Sequence, residues 1–206
     1  MKKILSLLPC ICAGWLLVFS HAQADAALEK IKDAIAKPEI LCGQFNQKKV
    51  LAGLKSALNS NGRFCVHTSK GIVWQTLKPF PNTVRLTKNE ITQWHGDKVT
   101  KRMDAKSEPT IQMINNVLFS LISGDFSQLE KIFHADSRIK AGKWQVALKA
   151  HDPGLRKAIG HISLDGDAYV RNISIHEANG DKMHIVFSGI QVGEAAKRSG
   201  ETSFYE

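Results

Sequence analysis

The chain has 206 residues, 43% of them hydrophobic and 23% charged, with a formal net charge of +9. That length suits one domain with a real core, and no internal repeat, low-complexity block or linker divides it. The positive surplus favours an anionic partner, but the lysines are dispersed and no DNA- or RNA-binding motif accompanies them, so nucleic acid is excluded as a partner.

In chain order, Lys2 and Lys3 precede an apolar run over 4–19, which ends at Ala22-Gln23-Ala24, the small-x-small pattern cut by a signal peptidase. The expectation is a signal peptide over 1–24 with cleavage before Asp25; an N-terminal membrane anchor is the alternative. Cleavage leaves 182 residues and a formal charge of +7. Cys10 and Cys12 follow Pro9 and Ile11, not the small residue a lipidated cysteine requires. A soluble exported protein is therefore expected. Two cysteines survive cleavage, Cys42 and Cys65. In an oxidising compartment a disulfide between them is the default, worth about 3 kcal/mol in the chain-entropy model. Neither belongs to a CxxC pair, so zinc is not expected.

Residues 26–36 carry Leu28, Ile31 and Ile35 at helical spacing, and Pro38 stops that helix. The period then changes. A long strand is predicted over 40–50, followed by strand-length pieces at 63–68, 72–77, 83–87, 91–94 and 99–103. Turn signals separate them at Asn61-Gly62, Lys70-Gly71, Lys88-Asn89 and His95-Gly96-Asp97. This spacing reads as an antiparallel meander.

Ser107 and Pro109 open a helix that Gly124 closes, and no charge falls between Glu108 and Asp125. At 100° per residue, Ile111, Met113, Ile114, Val117, Leu118, Leu121 and Ile122 cover about half its circumference, against the roughly 100° stripe of an ordinary surface helix. Such a helix needs broad cover: it is either a core helix on one sheet face or a lid over an apolar cavity. A short helix over 127–133 follows, then strands at 137–140 and 143–150, a helical turn over 153–159, and strands at 161–164, 169–178 and 182–192. Asp165-Gly166-Asp167 and Asn179-Gly180-Asp181 are hairpin turns. Residues 193–206 read as a mobile polar tail. The result is one α+β domain, mainly antiparallel β, of ten or eleven strands with a few helices. So many strands in one sheet tend to curl, and the curl leaves a concave apolar face.

GxSxG, HExxH, a Walker loop and a dinucleotide fingerprint are all missing. The seven histidines left after cleavage match no metal spacing, and Asp165 and Asp167 flank a hairpin glycine. The sequence therefore predicts no enzyme, no metal and no cofactor.

Several motifs together resemble the periplasmic outer-membrane lipoprotein carrier family, LolA and its LolA-like relatives. They are the Phe45-x-Gln47 strand, Gly71-Ile72-Val73-Trp74 running into Lys78-Pro79, the Trp94-x-Gly96 hairpin, the central apolar helix, and Gly180-Asp181 leading to Ile185-Val186-Phe187. The match runs from about residue 25 to 192. The resemblance implies an incomplete, half β-barrel covered by lid helices that holds acyl chains between sheet and lid. It also implies a periplasmic location in a Gram-negative bacterium, an inner-membrane release machine, an outer-membrane acceptor and transient membrane contact by a monomer. The cargo is an acylated lipoprotein, a glycolipid or a free acyl chain; a packed scaffold without ligand is the rival reading. Parity and resemblance place Phe45, Trp74, Trp94, Trp144, Ile173, Ile175, Ile185 and Phe187 on the lining sheet, and Met113, Val117 and Leu121 on the lid. Lys78 stands where the family's best-known form has a lid-holding arginine, with fewer donors and no planar fork. In that fold Cys42 and Cys65 lie on neighbouring early strands, where a disulfide would stiffen that edge.

Overall fold

A computed structural model of the protein describes residues 19–54, 56–87, 89–104, 119–120 and 125–205. Eleven strands form one open antiparallel sheet in the order β6-β5-β4-β3-β2-β1-β11-β10-β9-β8-β7. They are β1 (Ile40–Val50), β2 (Leu58–His67), β3 (Gly71–Lys78), β4 (Asn82–Leu86), β5 (Glu90–His95), β6 (Lys98–Asp104), β7 (Phe133–Lys140), β8 (Lys143–Ala150), β9 (His161–Gly166), β10 (Val170–His176) and β11 (Lys182–Val192). Every neighbour but one is joined by a hairpin or a short connection; the exception is β1 against β11, which brings the two halves of the chain together at mid-sheet.

Strand alternation divides the sheet into an inner and an outer face. The inner face carries Phe45, Phe64, Ile72, Trp144, Val146, Leu148, Ile162, Leu164, Ile173 and Phe187, all buried in one continuous core. Helix α1 (Phe19–Ala34) lies over it, and the next residue, Ile35, is buried with Leu28 and Ile31 as the helical spacing requires. A one-turn helix, α2 (Phe126–Leu129), adds Phe126 and Leu129. Asp125 caps it by accepting a hydrogen bond from the Ser127 amide. Helix α3 (Pro153–Ile159) is capped in the same way by Asp152, which accepts from the Leu155 amide at 2.7 Å.

Three sequence expectations are corrected. Asn61-Gly62 is not a turn but lies within β2. Gly62 is required there by close approach, because a Cβ would sit 1.9 Å from the Gln75 carbonyl and 2.8 Å from the Phe45 ring. The short helix expected at 127–133 ends at Leu129, and β7 begins at Phe133. The C-terminal segment is no mobile tail. It forms α4 (Gly193–Lys197) and a 3-10 turn (Gly200–Tyr205) that pack on the outer face, with Ala196 and Glu201 buried.

Candidate functional site

The predicted lining residues fall into three groups. Phe45, Trp74, Trp144, Ile173, Ile175, Ile185 and Phe187 share the inner face. The register explains why: Phe45 is opposite Phe187 on one side and Gly62 on the other, Ile173 is opposite Ile185, and Phe64 is opposite Trp74. The Phe45 and Trp74 rings stack with centroids 3.8 Å apart. Phe187 meets Phe64 at 4.9 Å and Trp74 edge-on at 6.1 Å. Aromatic pairs in these geometries add roughly 0.5–1.5 kcal/mol beyond their buried area. Farther along, Trp144 meets Phe126 edge-on at 5.7 Å, and its indole N–H donates to the Asp167 carbonyl at 2.6 Å. Trp144 is therefore held by both ends of its ring system.

Trp94 does not join them. It is opposite Thr83, on the outer face, where its ring meets Phe204 at 5.7 Å and the Arg85 guanidinium at 5.5 Å. The third group is the lid. Met113, Val117 and Leu121 lie outside the described residues; of that segment Phe119 and Ser120 are helical, with Phe119 packed against the core and Ser120 buried. Lys78 is exposed at the end of β3, before a cis bond to Pro79.

Trp74, Ile175 and Ile185 of the inner face are only partly buried. Just past the end of α1, Ile35, Leu41, Phe64, Val170, Phe187 and Ile190 line a gap of about 10 Å³, room for one water-sized sphere. Polar ties hold α1 at its end. The Ala36 amide donates to the Ala168 carbonyl at 2.9 Å, and the Lys32 ammonium pairs with Glu29 and Glu130. Partial burial opposes the Lys32 charge, but the two carboxylates outweigh it and hold its pKa above the ordinary lysine value. In the β9–β10 turn burial likewise opposes the Asp167 charge, and the Arg171 guanidinium 3.0 Å away overcomes it, drawing the carboxyl below its usual value.

On the outer face Cys42 and Cys65 are directly opposite each other and joined by a disulfide. They stand on β1 and β2, in the middle of the strand order, so the bond braces the centre of the sheet and not an edge. The C-terminal segment covers it. Cys42 Sγ lies 3.5 Å from the Ala196 carbonyl, and the Tyr205 hydroxyl donates to the Cys65 and Gly71 carbonyls at 2.9 and 3.1 Å. Burial raises the pKa of that hydroxyl well above the ordinary phenol range. Glu201, buried, lies 3.6 Å from Arg63 and accepts from the Ser199 hydroxyl.

The inner face thus offers wide apolar contact. Among the described residues no three His, Cys, Asp or Glu side chains come together as a metal would require. Phe64, which the sequence places on an early strand, completes the aromatic cluster. The contribution of Phe126 and Leu129 was hidden in a helix of one turn.

A family model described as outer membrane lipoprotein carrier protein LolA-like matches residues 20–203. No curated protein matches the sequence. Among solved structures, the chain is similar to a LolA superfamily protein from Nitrosomonas europaea at 7% identity, covering 83% of this chain and 94% of that one with a TM-score of 0.43. It is similar to a DUF1329 family protein from Desulfovibrio piger at 7% identity, covering 89% and 97% with a TM-score of 0.46. A third similarity is to the MucA/MucB complex structure of Pseudomonas aeruginosa, at 14% identity over 86% and 61% of the chains and a TM-score of 0.42. At these scores the structural likenesses transfer no property to this chain.

Proposed function

This chain belongs to the LolA-like family of outer membrane lipoprotein carrier proteins, and from that premise we propose that it is a non-enzymatic carrier of acyl chains. It works in the periplasm after loss of residues 1–24, taking cargo from an inner-membrane release machine and giving it to an outer-membrane acceptor. The observation that carries this reading is the continuous apolar inner face of an open sheet, covered by short helices and not by a second sheet. The open sheet would serve as a half-barrel, and residues 25–34 of α1, which remain after cleavage, together with the helical residues Phe119 and Ser120 as part of its lid.

The magnitudes favour exchange. Lifting α1 returns Leu28, Ile31 and Ile35 to water at about 1.5–3 kcal/mol each, whereas cargo gains about 0.8 kcal/mol per buried methylene. On those figures about eight methylenes balance the opening, and a longer chain binds with a modest surplus. Transfer then stays reversible, as a carrier requires. The cargo class is an acylated lipoprotein, with a glycolipid or free acyl chain using the same contacts.

A second reading has one observation behind it. The gap of about 10 Å³ just past the end of α1 is the size a packed scaffold with no ligand would leave there. Titration with a fluorescent acyl probe separates the two. The carrier binds the probe, an acylated peptide displaces it, and Ile175→Ser and Ile185→Ser, which alter half-buried positions of the inner face, weaken it severalfold. Failure to bind any acyl ligand, or binding indifferent to both substitutions, supports the scaffold.

A further inference from the structure

Hairpin tips are ordinarily polar, built from Gly, Asn, Asp and Ser. One end of this sheet departs from that. Antiparallel order brings five connections to the same end, β5–β6, β3–β4, β1–β2, β10–β11 and β8–β9, successive along the sheet; the first four of them carry the departure. The β3–β4 loop presents Phe80, 80% exposed, and the β1–β2 connection presents Leu54 and Leu58, each 56% exposed. Val99 adds a fourth apolar side chain, 41% exposed, beside the β5–β6 turn.

These tips are fixed to one another. His95 Nδ1 lies 3.1 Å from the Pro81 carbonyl, tying β5–β6 to β3–β4. The Ala52 amide donates to Asp181 at 2.8 Å, tying β1–β2 to β10–β11. The charges of this end are also uneven. Glu177 and Asp181 lie within 3.8 Å of Lys49, whereas Lys48, Lys78, Lys98 and Lys182 stand exposed around the tips; Asp97 and, in the β8–β9 connection, Asp152 are exposed acids of the same end.

We propose that this end of the sheet docks on an anionic phospholipid surface, with Phe80, Leu54 and Leu58 entering the interface and the surrounding lysines meeting the head groups. Separate protruding side chains suit a deformable bilayer; a folded protein would need a matching pit for each. Apolar insertion and attraction to anionic lipid act together in interfacial binding, and neither alone is strong. The inference rests on the carrier reading only for its purpose, which is to bring the cargo-holding face to a membrane.

The test is flotation of the purified protein with vesicles of phosphatidylglycerol and phosphatidylethanolamine, and with phosphatidylcholine alone. The expected result is binding to the anionic vesicles that falls with added salt and is weaker on phosphatidylcholine. Phe80→Ser with Leu54→Ser, and separately Lys78→Glu with Lys98→Glu, should each reduce it at least about fivefold. Val192→Ser, an exposed apolar change at the opposite end of β11, should not. A Phe80→Trp variant reports insertion directly, its added emission being quenched by brominated lipid. Equal flotation of all variants, absence of wild-type binding, or an unquenched tryptophan at position 80 overturns the proposal. Acyl-probe binding is measured on the same samples. Probe binding without flotation removes the docking end and leaves the carrier; flotation lost on the rim substitutions without probe binding does the reverse.

Discussion

Tyr205 shows how much one side chain near the chain's end can hold. Its hydroxyl donates to two main-chain carbonyls, of Cys65 and Gly71, and its ring meets His67 edge-on at 5.7 Å. Tyr205→Phe removes the one hydroxyl proton shared between these two carbonyls, which should cost about 1 kcal/mol in denaturant unfolding. The pH dependence has a definite sign. The folded pKa is raised above the unfolded value of about 10, so the contribution is whole below pH 10 and is lost as pH rises from there toward the folded value. The folded protein should therefore show tyrosinate absorbance that develops only well above pH 10 and is abolished in Tyr205→Phe. Ionisation of Tyr205 near pH 10, seen as the absorbance lost in Tyr205→Phe, would contradict the packing of this residue. Trp94 belongs to the same side of the sheet, and its misplacement in the sequence reading has a plain cause. Neighbouring strands do not share a numbering parity, and β5 presents Ile91 and Gln93 inward, so Thr92 and Trp94 face outward.

At the scale of elements, α1 is the cover on which the account depends. Ile31 is fully buried beneath it. Ile31→Ala should cost about 2–5 kcal/mol if the helix stays docked in the ground state, as for other large-to-small core changes. Hydrogen exchange of α1 amides should rise with it, while the β1–β2 and β1–β11 amides keep their protection. Uniform loss of protection across the sheet would mean that α1 is part of the core and no lid. The elements also separate what was legible from what was not. The helix stopped by Pro38, the meander, the capped helix at Pro153 and the last two hairpins follow from period, turn residues and caps, which are local. Asn61-Gly62 reads as a turn because Asn-Gly is the strongest local hairpin signal, but within β2 it serves an inner-face contact: Gly62 makes room for the Phe45 ring. The C-terminal segment reads as a tail because its composition is polar, while its docking rests on a few long-range contacts of Ala196, Glu201, Phe204 and Tyr205. Such contacts leave no periodic trace in a sequence.

At the scale of the molecule, the sheet has a different use for each side. The inner face gathers seven of the eight predicted sheet residues into one apolar surface; the outer face carries the disulfide and its C-terminal cover. The sheet is braced at its centre, where the disulfide joins β1 to β2 and β1 pairs with β11; on the carrier reading proposed above, the covering helices are the parts that would respond to cargo. That division is what a carrier needs: a rigid floor and a cover whose removal costs about what a short stretch of acyl chain repays. The most direct measurement of that claim is native mass spectrometry of the protein purified gently from its own host, followed by lipid extraction. The account predicts a co-purifying acylated lipoprotein or lipid that is released when Ile31 on the cover or Ile175 on the floor is replaced by a polar residue in a chain that remains folded. A protein that is reproducibly empty, and that also refuses added acylated ligands, would contradict it.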